Sequence, residues 1–168
     1  MLAGNVVAVS RRLSIVAVLA LALAGSQLHA RPAAAATDGC SLLKAGDVTA
    51  LVGGTPKSKP SPQGTSCTWT GAKAGRKLLV LTYAMKSVPG EVAYMGARRQ
   101  AEAGGDAKIA DEAGMGERAF SGQVSFGVVF VALKHGQVLQ LQYWTGGRGT
   151  SADVAALRPV MRKAVAAF

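Results

Sequence analysis

The chain has few of the side chains on which most enzymes depend. It has two histidines, of which only His135 lies beyond residue 36, and its two cysteines, Cys40 and Cys67, do not form a Cys-x-x-Cys pair. One histidine is too few for an ordinary zinc site, and without paired thiols there is no redox motif. Beyond residue 36 there is no Gly-x-Ser-x-Gly sequence to carry a nucleophilic serine. These absences predict that the chain is not an enzyme and holds no metal or cofactor.

Two acidic residues keep one enzymatic alternative open. Glu112 and Glu117 flank a glycine-containing loop and could form a carboxylate pair of the kind that hydrolyses glycosides. Acidic residues in loops are more often simply solvated, and no carboxylate in the sequence is visibly placed to orient His135. Only a cleft that gathers Glu112, Glu117 and His135 would favour catalysis.

The first 36 residues have the pattern of an export signal. Arg11 and Arg12 precede an apolar run over residues 13–25, and two small-residue cleavage sites follow, one ending at Ala30 and a stronger one ending at Ala36. The run is short for a membrane span, which needs about 20 residues, although a retained anchor is the alternative. A serine stands where a lipoprotein would have its cysteine. We predict a signal peptide over residues 1–36, no stable membrane anchor after cleavage, and a periplasmic or secreted protein.

Acidic residues are scarce, and the formal net charge is +10. Cleavage after residue 36 would remove three of the 19 basic residues and none of the nine acidic ones, which leaves +7. Such a charge suits anionic lipids, cell-wall polymers, nucleic acid or an acidic protein, or it only keeps the domain soluble. Nucleic acid is not expected, because basic and aromatic residues do not interleave along the chain.

Both cysteines lie beyond residue 36, in the part of the chain that an exported protein would retain. An even number of cysteines predicts one disulfide, Cys40–Cys67. It would close a loop of about 27 residues and stabilise the fold by roughly 3–4 kcal/mol through the entropy of the unfolded chain.

Hydrophobic periodicity and turn residues predict a single α+β domain over residues 37–168. We expect an antiparallel sheet of about five to six strands covered by two to three helices. Prolines at positions 56, 60 and 62 predict a loop through residues 54–64. The predicted elements are, in chain order, a helix ending at Gly53, strands at 66–70 and 77–84, a helix at 89–103, strands at 108–110, 118–121, 125–134 and 137–145, and a helix from about residue 151.

The patterns within some elements predict which side faces the core. In the last strand Leu139, Leu141 and Tyr143 alternate with glutamines, which indicates a half-buried strand. The strand at 77–84 is apolar at nearly every position, so we expect both of its faces to be covered. The helix at 89–103 has only a thin apolar face. Its predicted members are Val92, Met95 and Gly96.

Three short motifs resemble those of small secreted bacterial families of largely unknown function. They are a Cys-x-Leu-Leu start at residues 40–43, a Cys-x-Trp strand at 67–69 and a Gly-x-Gly-[Asp/Glu]-x-Ala-aromatic motif at 114–120. The resemblance covers most of residues 38–168 and implies a sandwich similar to PsbP-like domains, without catalytic residues. Many members of those families are lipoproteins or precede sensor domains. This chain departs from them in lacking the lipid-anchor cysteine and in having Lys44 where a Thr or Ser usually caps the first helix.

The last strand and the loop after it hold the candidate binding residues. Trp144 shares a strand face with Gln140 and Gln142, so it is exposed unless the last helix covers it. Arg148 lies in the glycine-rich loop 146–151, which could hold an anion or could be only a flexible connection. An exposed tryptophan beside an arginine is typical of a binding spot. The candidate binding residues are therefore Trp144, Arg148, Gln140 and Gln142.

These patterns favour an exported, non-catalytic domain of the envelope that binds a partner, most plausibly a protein, as inhibitors and immunity proteins do. The alternative is a periplasmic module for a small ligand or a lipid. A large apolar cavity between the strand at 77–84 and the last helix would favour the alternative. A flat exposed patch around Trp144 would favour the protein partner.

Overall fold

The computed structural model describes residues 38–83, 88–104 and 106–168. The predicted signal peptide and its cleavage sites lie outside the described residues. Among the described helices, none is both long and apolar enough to cross a membrane. The elements are α1 (Ala45–Val52), β1 (Lys57–Pro60), β2 (Ser66–Thr70), β3 (Lys77–Tyr83), α2 (Gly90–Glu102), β4 (Lys108–Asp111), β5 (Arg118–Val124), β6 (Gly127–Lys134), β7 (Gln137–Trp144) and α3 (Ser151–Ala167).

One antiparallel sheet of seven strands organises the described chain, in the order β1-β2-β3-β7-β6-β5-β4. Helices α1 and α3 pack on one face, where Leu78, Phe130 and Leu157 belong to the larger apolar cluster. Helix α2 packs on the other face, where Tyr94 and Phe120 belong to a smaller cluster. Among the described side chains, the strand residues of that smaller cluster come from β4, β5, β6 and β7. The described helices therefore cover one part of the width of the second face.

The α+β class, the antiparallel sheet and the Cys40–Cys67 disulfide are confirmed. The sheet has seven strands because part of the expected loop 54–64 is the edge strand β1. Pro60 at the end of β1 lies opposite Cys67. An edge strand tolerates proline, which has no N–H to donate, because the outer side of the strand pairs with no other strand. Reading every proline as a loop signal was therefore wrong at this edge.

The hairpin between β6 and β7 turns at His135 and Gly136, as expected. Both residues have positive φ, 51° and 73°, as a type I′ turn requires. The first arm is shorter than predicted, because residues 125–126 form a second turn between β5 and β6. Val124 pairs with Gly127 across that turn. The expected start of the strand at residue 125 is corrected to Gly127.

The buried face of α2 overlaps the predicted one only at Met95, which packs against the smaller cluster. Tyr94 is 1% exposed and stands edge-on to the Phe120 ring, with 5.5 Å between their centroids, whereas Val92 is 58% exposed. Ala97 and Ala101 follow Tyr94 at helical spacing and pack against the same cluster. Small alanines let the helix lie close to the sheet but contribute little to a hydrophobicity pattern, so most of this face was not predicted.

Strand β3 has one fully buried side and one partly open side. Leu78 and Val80 are fully buried beneath α1 and α3. Leu79 and Leu81 point to the opposite side and are only half-buried. The expectation that both faces of this strand are covered was therefore wrong at Leu79 and Leu81.

Helix α3 begins at a reciprocal cap. The Thr150 hydroxyl accepts the N–H of Asp153, and the Asp153 carboxylate accepts the N–H of Thr150. From this start the helix buries Leu157 and Met161 against the sheet. The capped start fixes where the loop after β7 ends.

Candidate functional site

Half of the sheet face that carries α2 has no described helix over it. Cys67 and Trp69 of β2 point into the core, so Thr68 and Thr70 point to the other side. Residues paired in register share a face, which extends this side across β1, β3 and β7. We call this surface the open face. Its residues are Lys57, Lys59, Ser66, Thr68, Thr70, Lys77, Leu79, Leu81, Gln140, Gln142 and Trp144.

An aromatic stack lies at one end of the open face. The Trp144 ring stacks on Phe126, with 5.1 Å between the ring centroids. The Lys77 ammonium lies 4.4 Å from the centroid of the Trp144 ring, which is within the range of a cation–π contact. Phe126 is 36% exposed in the turn between β5 and β6. The stack holds Trp144 in a fixed orientation and keeps a positive charge beside it.

Two amides continue the open face along β7. Gln140 lies opposite Leu81 of β3, and Gln142 lies opposite Leu79. All four side chains are half-buried. Neither amide side chain hydrogen-bonds to another described residue. Each amide therefore has donors and an acceptor free for a partner.

Residues 48–90 contain no acidic residue at all. Each of the nine acidic side chains of the chain accepts a hydrogen bond elsewhere in the fold. Six basic residues fall in the acid-free segment, and the last of them lies outside the described residues. They are Lys57, Lys59, Lys73, Arg76, Lys77 and Lys86.

Two basic residues of the acid-free segment serve the fold itself. Arg76 donates to the Tyr143 hydroxyl at 2.7 Å, and that hydroxyl donates to the buried carbonyl of Leu51 at 3.0 Å. Burial raises the pKa of Tyr143, and the nearby Arg76 partly offsets this effect. Lys73 donates to the carbonyl of Ala50 at 2.7 Å. The remaining described lysines of the segment all belong to the open face.

Arg148 is engaged away from the open face. Its guanidinium donates to the carbonyl and to the carboxylate of Asp106, each at 3.0 Å. Asp106 lies in the connection between α2 and β4. The cation beside Trp144 is Lys77 instead. The structure thus groups Trp144 with the two glutamines but gives Arg148 a separate partner.

The two carboxylates considered for catalysis each have a local partner. The Glu112 carboxylate accepts from Arg158 through both of its oxygens, each at 2.8 Å, and from the Ser121 hydroxyl. The bond to Arg158 lowers the pKa of Glu112, so this residue is ionised at neutral pH. Glu117 accepts the backbone N–H of His135 at 2.8 Å. Within the described ranges, no three histidine, cysteine or acidic side chains gather as metal ligands.

No protein-family model matches the chain, and neither a curated protein nor a solved structure matches it. The motifs at residues 40–43, 67–69 and 114–120 therefore remain a resemblance. The disulfide is typical of a compartment outside the reducing cytoplasm.

Sequence reasoning missed the strongest electrostatic feature of this surface. The basic residues looked scattered because they are never adjacent in long runs. The informative signal was the absence of acidic residues between Asp47 and Glu91, which counting acids along the chain would have found. It also missed Phe126, because residues 125–126 were assigned to a strand.

Proposed function

We propose that the chain is an exported, non-catalytic domain that binds a protein partner through the open face. The observation that carries this proposal is the aromatic stack and the unpaired amides on a half-face with no described helix over it. The disulfide supports a site of action outside the cytoplasm. Residence in the periplasm or outside the cell is part of the proposal.

The chemistry of the open face suits a protein better than a small ligand. A half-buried tryptophan stacked on a second aromatic ring is typical of the anchor residues of protein interfaces, and the free amides beside it can hydrogen-bond to a partner. The open face extends over four strands, β1, β2, β3 and β7, with about seven residues or fewer from each, and so has an area of roughly 400 Å². A standard interface buries about 800 Å² on each partner, so the open face would form its centre and the adjoining loops its rim.

A module for a small ligand or a lipid is the second candidate. Its ligand would be expected between β3 and α3. Leu78, Val80 and Leu157 are instead fully buried in one continuous apolar cluster at that place. A continuous apolar core at this place favours the protein-binding proposal over the alternative.

Site-specific photo-crosslinking in the cells that make the protein tests the proposal. The crosslinking amino acid p-benzoylphenylalanine is introduced into the full chain at Gln142 on the open face. The matched control position is Gln100, an exposed glutamine on α2. We expect a discrete protein adduct from position 142 that is absent from position 100. Adducts of the same mass and yield from both positions, or no protein adduct from position 142, would contradict the proposal.

A further inference from the structure

We propose that the partner presents an acidic protein surface to the open face, and that Lys57, Lys59 and Lys77 recognise it. This inference rests on the proposed function and adds the chemistry of the partner. The recognition element is a group of three lysines on one face of three neighbouring strands, beside the aromatic stack.

The register of the strands groups these lysines. Lys57 lies opposite Thr70 and Lys59 lies opposite Thr68, so both point to the open face with those threonines. Thr70 lies between two lysines, because it is paired with Lys57 of β1 on one side and with Lys77 of β3 on the other. Residues two apart on a strand are about 7 Å apart, and two strand spacings are about 10 Å, so the three lysines surround a small polar patch. All three are exposed.

No acidic group of the chain neutralises these lysines. Every acidic side chain is held by another partner, and no ion pair among the described residues involves Lys57, Lys59 or Lys77. The acid-free segment 48–90 supplies β1, β2 and β3 together. An unneutralised positive field of this kind attracts an anionic partner and orients it during association.

The other groups on the open face favour a protein over a lipid surface. Phe126 and Trp144 lie against each other rather than projecting separately, which limits the apolar surface that either could insert into a membrane. The hydroxyls and amides around them would lose hydrogen bonds if covered by hydrocarbon. Carboxylates and main-chain groups of a protein can accept bonds from the lysines, the threonines and the glutamines together.

Charge reversal in the crosslinking experiment tests the inference. With the crosslinker at position 142, we compare Lys57→Glu/Lys59→Glu with Arg99→Glu/Lys108→Glu. The control pair makes the same change in net charge with exposed residues of α2 and β4. We expect the adduct yield to fall about tenfold in the first variant and by less than about twofold in the control. An equal fall in both variants, or no fall in the first, would overturn the acidic partner but leave the crosslink, and with it the proposed function, intact.

A titration with a defined probe separates an acidic protein from an anionic membrane. Poly-L-glutamate is added to the ¹⁵N-labelled full-length protein, and phosphatidylglycerol vesicles are added to a second sample. We expect poly-L-glutamate to shift backbone amide signals of β1, β2 and β3, and the shifts to shrink as salt is raised to about 0.5 M. Tight vesicle binding that poly-L-glutamate does not displace would overturn the inference in favour of a membrane surface. No response of these strands to poly-L-glutamate would also overturn it.

Discussion

The two halves of the sheet face that carries α2 differ in how their charged side chains are balanced. Under α2, aromatic packing is bordered by ion pairs: Arg118 pairs with Glu91, and Arg98 bridges Glu102 and Asp111. On the open face there is neither a described helix nor an acidic residue, and its three lysines form no ion pair with a described residue. The covered half therefore has its charges matched within the chain. The open half has no such match among the described residues, and the proposed acidic partner would supply one.

The largest effect is expected from removing the disulfide, which joins the segment before α1 to β2 in the open half. We expect Cys40→Ser/Cys67→Ser to lower the free energy of unfolding by about 3–4 kcal/mol. Denaturant unfolding measures this loss. Hydrogen exchange then sharpens the comparison, since we expect amides of β2 to lose more protection than amides of β6. Equal losses in both strands would mean that the disulfide acts only on the unfolded chain.

Two leucines on the same sheet face test the difference in packing directly. Leu133 is buried beneath α2, and Leu79 is half-buried on the open face. We expect Leu133→Ala to cost about 3 kcal/mol in unfolding free energy and Leu79→Ala about 1 kcal/mol, because the second site already borders solvent. Thermal and denaturant unfolding of the two variants provide the measurement. Equal losses would show that something covers the open half in the free protein.

A smaller effect is expected from the Glu112–Arg158 pair, which ties the loop before β5 to α3. Glu112→Gln should lower the stability at pH 7 by about 1–2 kcal/mol, because Arg158 and Ser121 lose a charged acceptor. The pKa of Glu112 is lowered in the fold from its ordinary 4.5. The contribution of ionised Glu112 to the free energy of unfolding is therefore complete above about pH 4.5. It is lost as the pH falls through the pKa of Glu112 in the folded protein. The difference in unfolding free energy between Glu112→Gln and the parent protein should therefore disappear in acid. Unfolding curves measured from pH 7 to pH 3 would follow this change.

The smallest effect on stability is expected from the lysines themselves. Lys57→Glu/Lys59→Glu should change the free energy of unfolding by less than about 0.5 kcal/mol, because both side chains are exposed and make no ion pair within the described chain. Denaturant unfolding of the variant and of the parent protein provides the measurement. If the two curves coincide, a loss of crosslinking in the variant reports a loss of binding and not a loss of folding. A large loss of stability would mean that these lysines support the fold.

Local patterns predicted the elements whose signals are strongly periodic. The alternation through Leu139, Leu141 and Tyr143 correctly gave one buried side of β7, and the His135-Gly136 turn placed its hairpin. Strand β1 was missed because it contains proline, which is compatible with a strand at the edge of a sheet. Sequence spacing does not reveal which strand lies at the edge. The buried side of α2 was predicted only at Met95, because the alanines that share this side carry little hydrophobic signal.

The sequence by itself determined the α+β class, the single disulfide and the side of β7 that faces the core. These follow from residue periodicity and from pairing two cysteines. Only the tertiary structure decided that α2 packs over β4 to β7 and that no described helix lies over the open face. That outcome depends on how closely Tyr94 and the alanines of α2 fit Phe120 and its neighbours, which is a property of packing between distant segments. The lysines of β1 and β3 become one surface only because β2 brings those strands together.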